Sequence, residues 1–369
     1  MEKFRMKKRY LTPIIGIMTF CFLLIPTAVY GSELNFSVTP VIPENQADKQ
    51  KSYFDLHVKP EMDQMLVIKA NNDTDEEVIV EPTIRTATTN MNGVVEYGES
   101  NSKPDDTIIH KIEDILVATE KEVKIPAHGS SDISFKLTIP KEKFQGVLAG
   151  GITLKEKETK KDEAKKDDKQ SLAIENKYAY VVAIVLKEED TPVKSELKLI
   201  DVEPTQNNAR NTISATIQNT KPKYMNKLIV KAKVMEKGKK EVMYEATTEE
   251  MQMAPNTSFA YPIPLKGEEL KPGKYTLDLV AESKGENWHF TKNFEIEKEV
   301  ADKLNETDVT IKKREPDYTW LYIGIGAAIL LVVILIIIYI IRKKLKAKEE
   351  ELENLRNEMN NVSHDDGKE

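Results

Sequence analysis

The sequence predicts an all-β protein, two antiparallel sandwiches in tandem followed by one membrane-crossing helix, and three observations carry the expectation. Short runs of alternating apolar and polar residues, separated by turn residues, fill the chain from Glu33 to about Lys298. The segment WLYIGIGAAILLVVILIIIYIIRKKLK, which begins at Trp320, has no charge before Arg342. The single cysteine, Cys21, sits in an apolar leader, so packing rather than disulfides must hold the folded part together.

The strands are expected in NFSVTPVI, YFDLHVK, MLVIKAN, EEVIVEPTIRTAT, VVEYG, KEVKI, DISFKLTI and VLAGGITLKE. Their β-branched and aromatic residues suit a pleated, half-buried surface. KEKETKKDEAKKDDKQ, Lys155 to Gln170, has almost nothing to bury and reads as a solvated hairpin loop. The apolar run KYAYVVAIVLKE then returns as the last strand of a first domain, 32–190, because it reads as buried on both faces. SELKLIDVEP, NTISATIQNT, NKLIVKAKVME, KEVMYEATTE, TSFAYPIPL, GKYTLDLVAES and WHFTKNFEIE make about seven strands over 191–299, the count of an immunoglobulin-like sandwich. The stretch 300–318 has few apolar residues and is expected to be a stalk without a fold.

The apolar interval 319–341 gives about 23 residues, or roughly 35 Å of helix, against a hydrocarbon core of about 30 Å. Helix satisfies every backbone group inside lipid, and Trp320, Tyr322 and Tyr339 fall at its ends. Arg342, Lys343, Lys344, Lys346 and Lys348 follow, which predicts a cytoplasmic tail over 342–369. Within that tail EEELENLRNEMNN reads as a solvated continuation of the membrane helix. At the other end MEKFRMKKRY and LTPIIGIMTFCFLLIPTA form a basic and then an apolar region, with a cleavage site at Gly31; residues 1–31 are expected to be a signal peptide.

The net charge of −7, more acidic still between the two apolar segments, argues against nucleic acid as a partner. His57, His110, His128 and His289 lack metal-site spacing, and the motifs of zinc hydrolases and serine esterases are absent, so neither enzyme activity nor a cofactor is expected. NNDTDEE, Asn71 to Glu77, alternates oxygen ligands as a calcium loop does, yet it lacks the glycine and distal glutamate. It reads instead as the apex of a hairpin between MLVIKA and VIVEPT. Two loops offer binding groups. At the end of PVIPENQ, Asn45 and Gln46 are expected to expose amides able to pair with sugar hydroxyls or peptide groups, and ATTNMNGVVEYG offers Asn90, Asn92 and Tyr97 around an Asn-Gly turn.

FSVTPVIPENQ, YFDLHVKP, ATTNMNGVVEYG, IPKEKFQGVLAGGI, KYAYVVAIVLKE, MAPNTSFAYPIPL and LKPGKYTLDLVAES occur in the order found in WxL-interacting proteins of Gram-positive bacteria, which the chain resembles from leader to membrane helix. The resemblance implies a cell-surface protein whose first domain binds peptidoglycan and whose second binds host proteins, extracellular matrix proteins among them. It also implies secreted WxL-domain proteins as partners. No binding residue is carried over from it. The expected function is a membrane-anchored scaffold; a surface sensor acting through the tail is the second reading.

Overall fold

The computed structural model describes residues 35–100, 102, 104–157, 178–311 and 318–365. The expected signal peptide with Cys21, and all but the first few residues of the charged loop 155–170, lie outside them. The chain divides into two units, 1–311 and 312–369.

Alternation builds the first sandwich. One sheet has the order β1 (Ser37–Val41), β3 (Asp63–Asn72), β9 (Gly129–Thr138) and β7 (Leu116–Ala118). The other runs β2 (Phe54–His57), β11 (Ala179–Lys187), β10 (Leu148–Glu156), β4 (Val78–Thr86) and β8 (Val123–Ile125). Alternate residues of the facing sheets, Leu66 and Ile68 of β3, Phe135 of β9, Ile152 and Leu154 of β10 and Ile184 of β11, meet in one core. The strand KYAYVVAIVLKE joins this core as β11, antiparallel to β10 and parallel to β2. NNDTDEE is not a hairpin apex: β3 and β4 belong to opposite sheets, so the turn carries the chain across the sandwich. Buried Asn72 organises that crossing, its amide donating to the carbonyls of Glu76, Ile125 and Pro126 while its oxygen accepts from Thr74.

A glycine pair thins β10. Gly150 and Gly151 point to opposite faces, and a Cβ would collide with Ile112 of the short helix α1 (Ile112–Ile115) at the first and with the Tyr97 backbone at the second. The strand is therefore packed closely on both sides. Tyr97 follows a two-stranded ribbon, β5 (Thr88–Thr89) with β6 (Val95–Glu96).

The second sandwich has the seven expected strands. A three-stranded sheet ordered β12 (Leu197–Asn207), β13 (Arg210–Asn219) and β16 (Thr257–Pro264) faces a four-stranded sheet ordered β15 (Val242–Met253), β14 (Met225–Glu236), β17 (Gly273–Ser283) and β18 (Glu286–Ile296). Ile213, Ile217, Val230, Tyr261 and Leu279 lie at the centre of its core.

The expected stalk is corrected over its first part: α2 (Lys298–Thr307) lies against this sandwich. Ala301 is fully buried in the core with Leu304 beside it, and the Asn305 side chain accepts from the Leu270 N–H and donates to the Leu270 carbonyl. Two apolar residues in one turn are too few to stand out as periodicity, but they are enough when polar side chains carry the rest of the docking.

The second unit is α3 (Thr319–Asp365), one helix long and apolar enough to cross a membrane, with mean hydropathy 3.2 over its apolar window. EEELENLRNEMNN continues that helix, and Leu352 and Leu355 are exposed.

Candidate functional site

The loop after β1 does not present its amides as the sequence suggested. Gln46 is only 6% exposed. Its side-chain oxygen accepts from the Asp55 N–H at 3.1 Å, and its nitrogen donates to the Tyr53 and Asp48 carbonyls at 2.8 and 3.2 Å. Asn45 and Gln64 exchange amide hydrogen bonds at 3.0 and 2.9 Å, and Asn45 also donates to the His57 carbonyl. The reason is the edge of β2: residues 45–47 run beside it, and their side chains complete hydrogen bonds that no neighbouring strand supplies.

The Asn-Gly hairpin forms as expected, with a different consequence. The Asn90 oxygen accepts from the Asn92 and Val94 N–H groups, its nitrogen donates to Glu96 at 2.8 Å, and Gly93 adopts φ 68°. Asn90 therefore builds the turn, while Asn92 is exposed. The tip of the hairpin is driven against the second sandwich. The Gly93 carbonyl accepts from Gln252 N–H at 2.7 Å, and a Cβ at Gly93 would stand 2.5 Å from Met251. Tyr97 meets Tyr224 of the second sandwich, hydroxyl to hydroxyl at 3.1 Å.

Around these contacts the two sandwiches form a joint. Ala254 N–H donates to Thr89 Oγ1 at 3.0 Å, the Thr89 and Thr257 hydroxyls are 2.7 Å apart, and Thr257 donates to the Ala254 carbonyl at 2.8 Å. Because Thr257 spends its proton on that carbonyl, Thr89 is the donor in the middle contact, and the ring of bonds closes. Val147 N–H donates to Pro222, and Gly146 at φ 72° lets the two backbones touch. Ala87, Ala149 and Ala254 pack beneath Val95, Tyr97, Val147 and Tyr224. Gln218 donates to both oxygens of Asp105 at 2.9 and 3.0 Å. Burial pushes the Asp105 carboxyl up, but hydrogen bonds from Thr107 and Gln218 overcome it and hold the group below its ordinary range.

Beside the joint lies a group of polar and aromatic side chains. Burial raises the Tyr97 and Tyr224 phenols, and Tyr53 is near enough to add to both shifts. Lys51 pairs with the buried carboxylate of Asp55 at 2.6 Å and lies 5.2 Å from the centre of the Tyr53 ring. The hydrogen bond to Asp55, more than any other cause, raises its ammonium. Half-buried Tyr53 and Lys51 thus offer a ring face and a fixed positive charge at the seam, groups suited to hydrogen-bonding and stacking on a polar ligand. Sequence reasoning reached Tyr97 but missed Thr89, Gly146, Tyr224 and Thr257, whose partners are far away along the chain.

Two sandwiches joined at a fixed seam and followed by a helix apolar enough to cross a membrane define a two-module β protein with one candidate membrane span. Residues 36–156 match the WxL Interacting Protein peptidoglycan binding domain, and residues 169–306 match the WxL Interacting Protein host binding domain. The two matches together take in well over half of the sequence, and the chain belongs to the WxL-interacting protein family. These domains give it a cell-surface binding role, and both are described as binding domains rather than enzymes. The second match starts ahead of β11, although that strand pairs within the first sandwich.

Solved structures similar to the chain include the CsuC–CsuE chaperone and tip-subunit complex of Acinetobacter baumannii, at 10% identity over 70% of this chain and 98% of that one, with TM-score 0.31. The E. coli chaperone DraB is 15% identical over 71% of this chain and 98% of that one, with TM-score 0.26. The PapD-like domain of human CEP192 is 8% identical over 46% and 95%, with TM-score 0.26. No curated protein matches the sequence.

Proposed function

We propose that this protein is a membrane-anchored scaffold on the wall-facing side of the cell, which holds peptidoglycan with its first module and tethers WxL-domain proteins or host proteins through its second. One observation carries the reading: a peptidoglycan-binding and a host-binding domain stand in that order ahead of an apolar helix long enough to span a bilayer. In this reading residues 1–31 are removed as a signal peptide, the division between modules falls at 190 and 191, and the tail 342–369 lies in the cytoplasm of a Gram-positive cell. Pairing of β11 with β10 supports the division, and the run of lysines after Ile341 supports the orientation.

Tethering is what makes weak modules useful. A site of modest affinity, held beside the wall at an effective concentration of about millimolar, is occupied most of the time. Of the residues picked out in the sequence, exposed Asn92 remains the one we assign to ligand contact; the amides of Asn45, Gln46 and Asn90 serve the fold.

The test is co-purification. Full-length protein captured from solubilised membranes should bring WxL-domain proteins with it and should be retained by purified peptidoglycan. Retention of neither defeats the proposal. Deleting the tail after Lys348 should leave surface binding and gene expression unchanged, whereas altered expression with binding intact would favour a sensor.

A further inference from the structure

The second module has a cleft between the free edges of its two sheets. β15 and β16 each end their sheet, so each has one edge unpaired among the described residues. Two adjoining hollows, about 740 and 300 Å³, run between them. Val242 through Thr248 line them without a gap. A hollow against one face of a strand would meet alternate residues only, so this unbroken run marks the strand's edge, where alternate N–H and C=O groups are free. Facing it, β16 carries Pro262 and Pro264, which have no N–H and cannot close the gap from the other side.

Two buried side chains in the walls are unsatisfied. Thr212 and Tyr244 are each only 5% exposed, and neither hydroxyl has a hydrogen-bond partner among the described residues. Burial, aided by Glu268, pushes the Tyr244 phenol up to about 12, so it stays a donor. A buried hydroxyl without a partner is costly unless something else pairs with it. The cleft is also polarised. Arg210 lines one hollow and Glu268 the other, with Lys266 and Glu245 shared between them. Neither Arg210 nor Lys266 has an ion-pair partner among the described residues.

We propose that this cleft binds an extended peptide segment of a partner protein, about seven residues long, which adds a strand to β15 and sets an acidic side chain against Arg210 and Lys266. A strand edge pairs with main chain, which a glycan lacks, and Arg210 and Lys266, without ion-pair partners among the described residues, favour a carboxylate at that end of the cleft. The assignment rests on the second module being a binding module and gives that module a site and a ligand chemistry.

Panning a displayed library of linear heptapeptides against the full chain in detergent micelles tests it. Enriched sequences should carry Asp or Glu toward one end. As synthetic peptides followed by fluorescence anisotropy, they should lose about tenfold or more in affinity to the variant R210E/K266E, and as much when alternate amides are N-methylated. Thr212→Val should weaken binding while the free protein melts no lower. Failure to enrich above protein-free wells, or peptides indifferent to these changes, overturns the proposal. So does competition for the cleft by chitohexaose, or concentration-dependent dimerisation that R210E/K266E abolishes. Retention on purified peptidoglycan is measured on the same preparation. If it persists without peptide enrichment, the cleft assignment alone fails; if both are lost, the scaffold reading fails with it.

Discussion

Thr89 and Thr257, on different sandwiches, face each other with hydroxyl oxygens 2.7 Å apart, both residues almost completely buried. Each satisfies a backbone group of Ala254, Thr89 its N–H and Thr257 its carbonyl. Both hydroxyls are thus shielded from solvent, and neither module can swing away without stranding polar groups. Binding events at the two modules are thereby held in one geometry.

Thr89→Val keeps the shape and removes both hydrogen bonds, leaving the Ala254 N–H and the Thr257 oxygen with a lost partner. The expected loss is about 1–3 kcal/mol. Thr257→Val in the same background should cost less than it does alone, because the ring is already broken. Urea unfolding of the two single variants and the double decides this; strict additivity would show that the ring does not act as a unit.

Gly146→Ala attacks the joint and leaves both cores intact. At φ 72° a Cβ is strained, and here it would collide with the Pro222 carbonyl. The Val147 to Pro222 hydrogen bond should be lost, with a cost of about 1–3 kcal/mol. Hydrogen exchange should speed up at Val147, Ala254 and the β5–β6 hairpin while core amides of both sandwiches stay protected. Uniform deprotection would mean that the modules do not fold apart from the seam.

Much of this architecture was legible because alternation is local. Each strand of the second sandwich overlaps an alternating run that a single window reveals, although β12 and β15 continue past the ends of theirs. The Gly150-Gly151 pair, read only as part of a strand, gave no warning of the close approach it makes on both faces. It could not name Ile112 and Tyr97, which come from elsewhere in the chain. The site was less legible for the same reason. Nothing near Thr89 in sequence distinguishes it from a turn threonine, and its partner Thr257 is 168 residues away. Gln46 misled because a polar residue after two prolines looks solvated, whereas the edge of β2 needed its amide. The α2 helix escaped notice because its docking depends on Asn305 and Ala301 more than on an apolar stripe.

Gln46 and Asn92 should separate structure from recognition. Gln46→Leu orphans the Asp55 N–H and the Tyr53 carbonyl, so it should lower stability by about 1–3 kcal/mol, with any loss of wall retention following the unfolded fraction. Asn92→Ala, at an exposed turn position, should leave the melting temperature within about 1 °C or so, consistent with the small cost of surface changes. If Asn92→Ala nevertheless weakens peptidoglycan or partner retention, that residue touches ligand; unchanged retention removes it from the site.

Acid should loosen α2 through Asp308. This carboxylate is 4% exposed, and one oxygen accepts from the Asn211 N–H while the other accepts from Thr310 and Ile311. Burial pushes its pKa up, but the hydrogen bonds from Thr310 and Asn211 prevail and leave it below the ordinary value. A folded pKa below the unfolded one contributes stability that is complete above the unfolded carboxylate value of about 3.9 and is lost as pH falls through the folded value. Asp105 at the seam has the same sign. Wild-type protein should thus show slow exchange of α2 amides near neutral pH and faster exchange below about pH 4, after correction for intrinsic rates. Asp308→Asn keeps the size and removes the charge, so α2 should exchange faster already at neutral pH and respond less to acid. A variant whose α2 protection and acid response both match wild type would show that the helix is held by Ala301 and Asn305 alone.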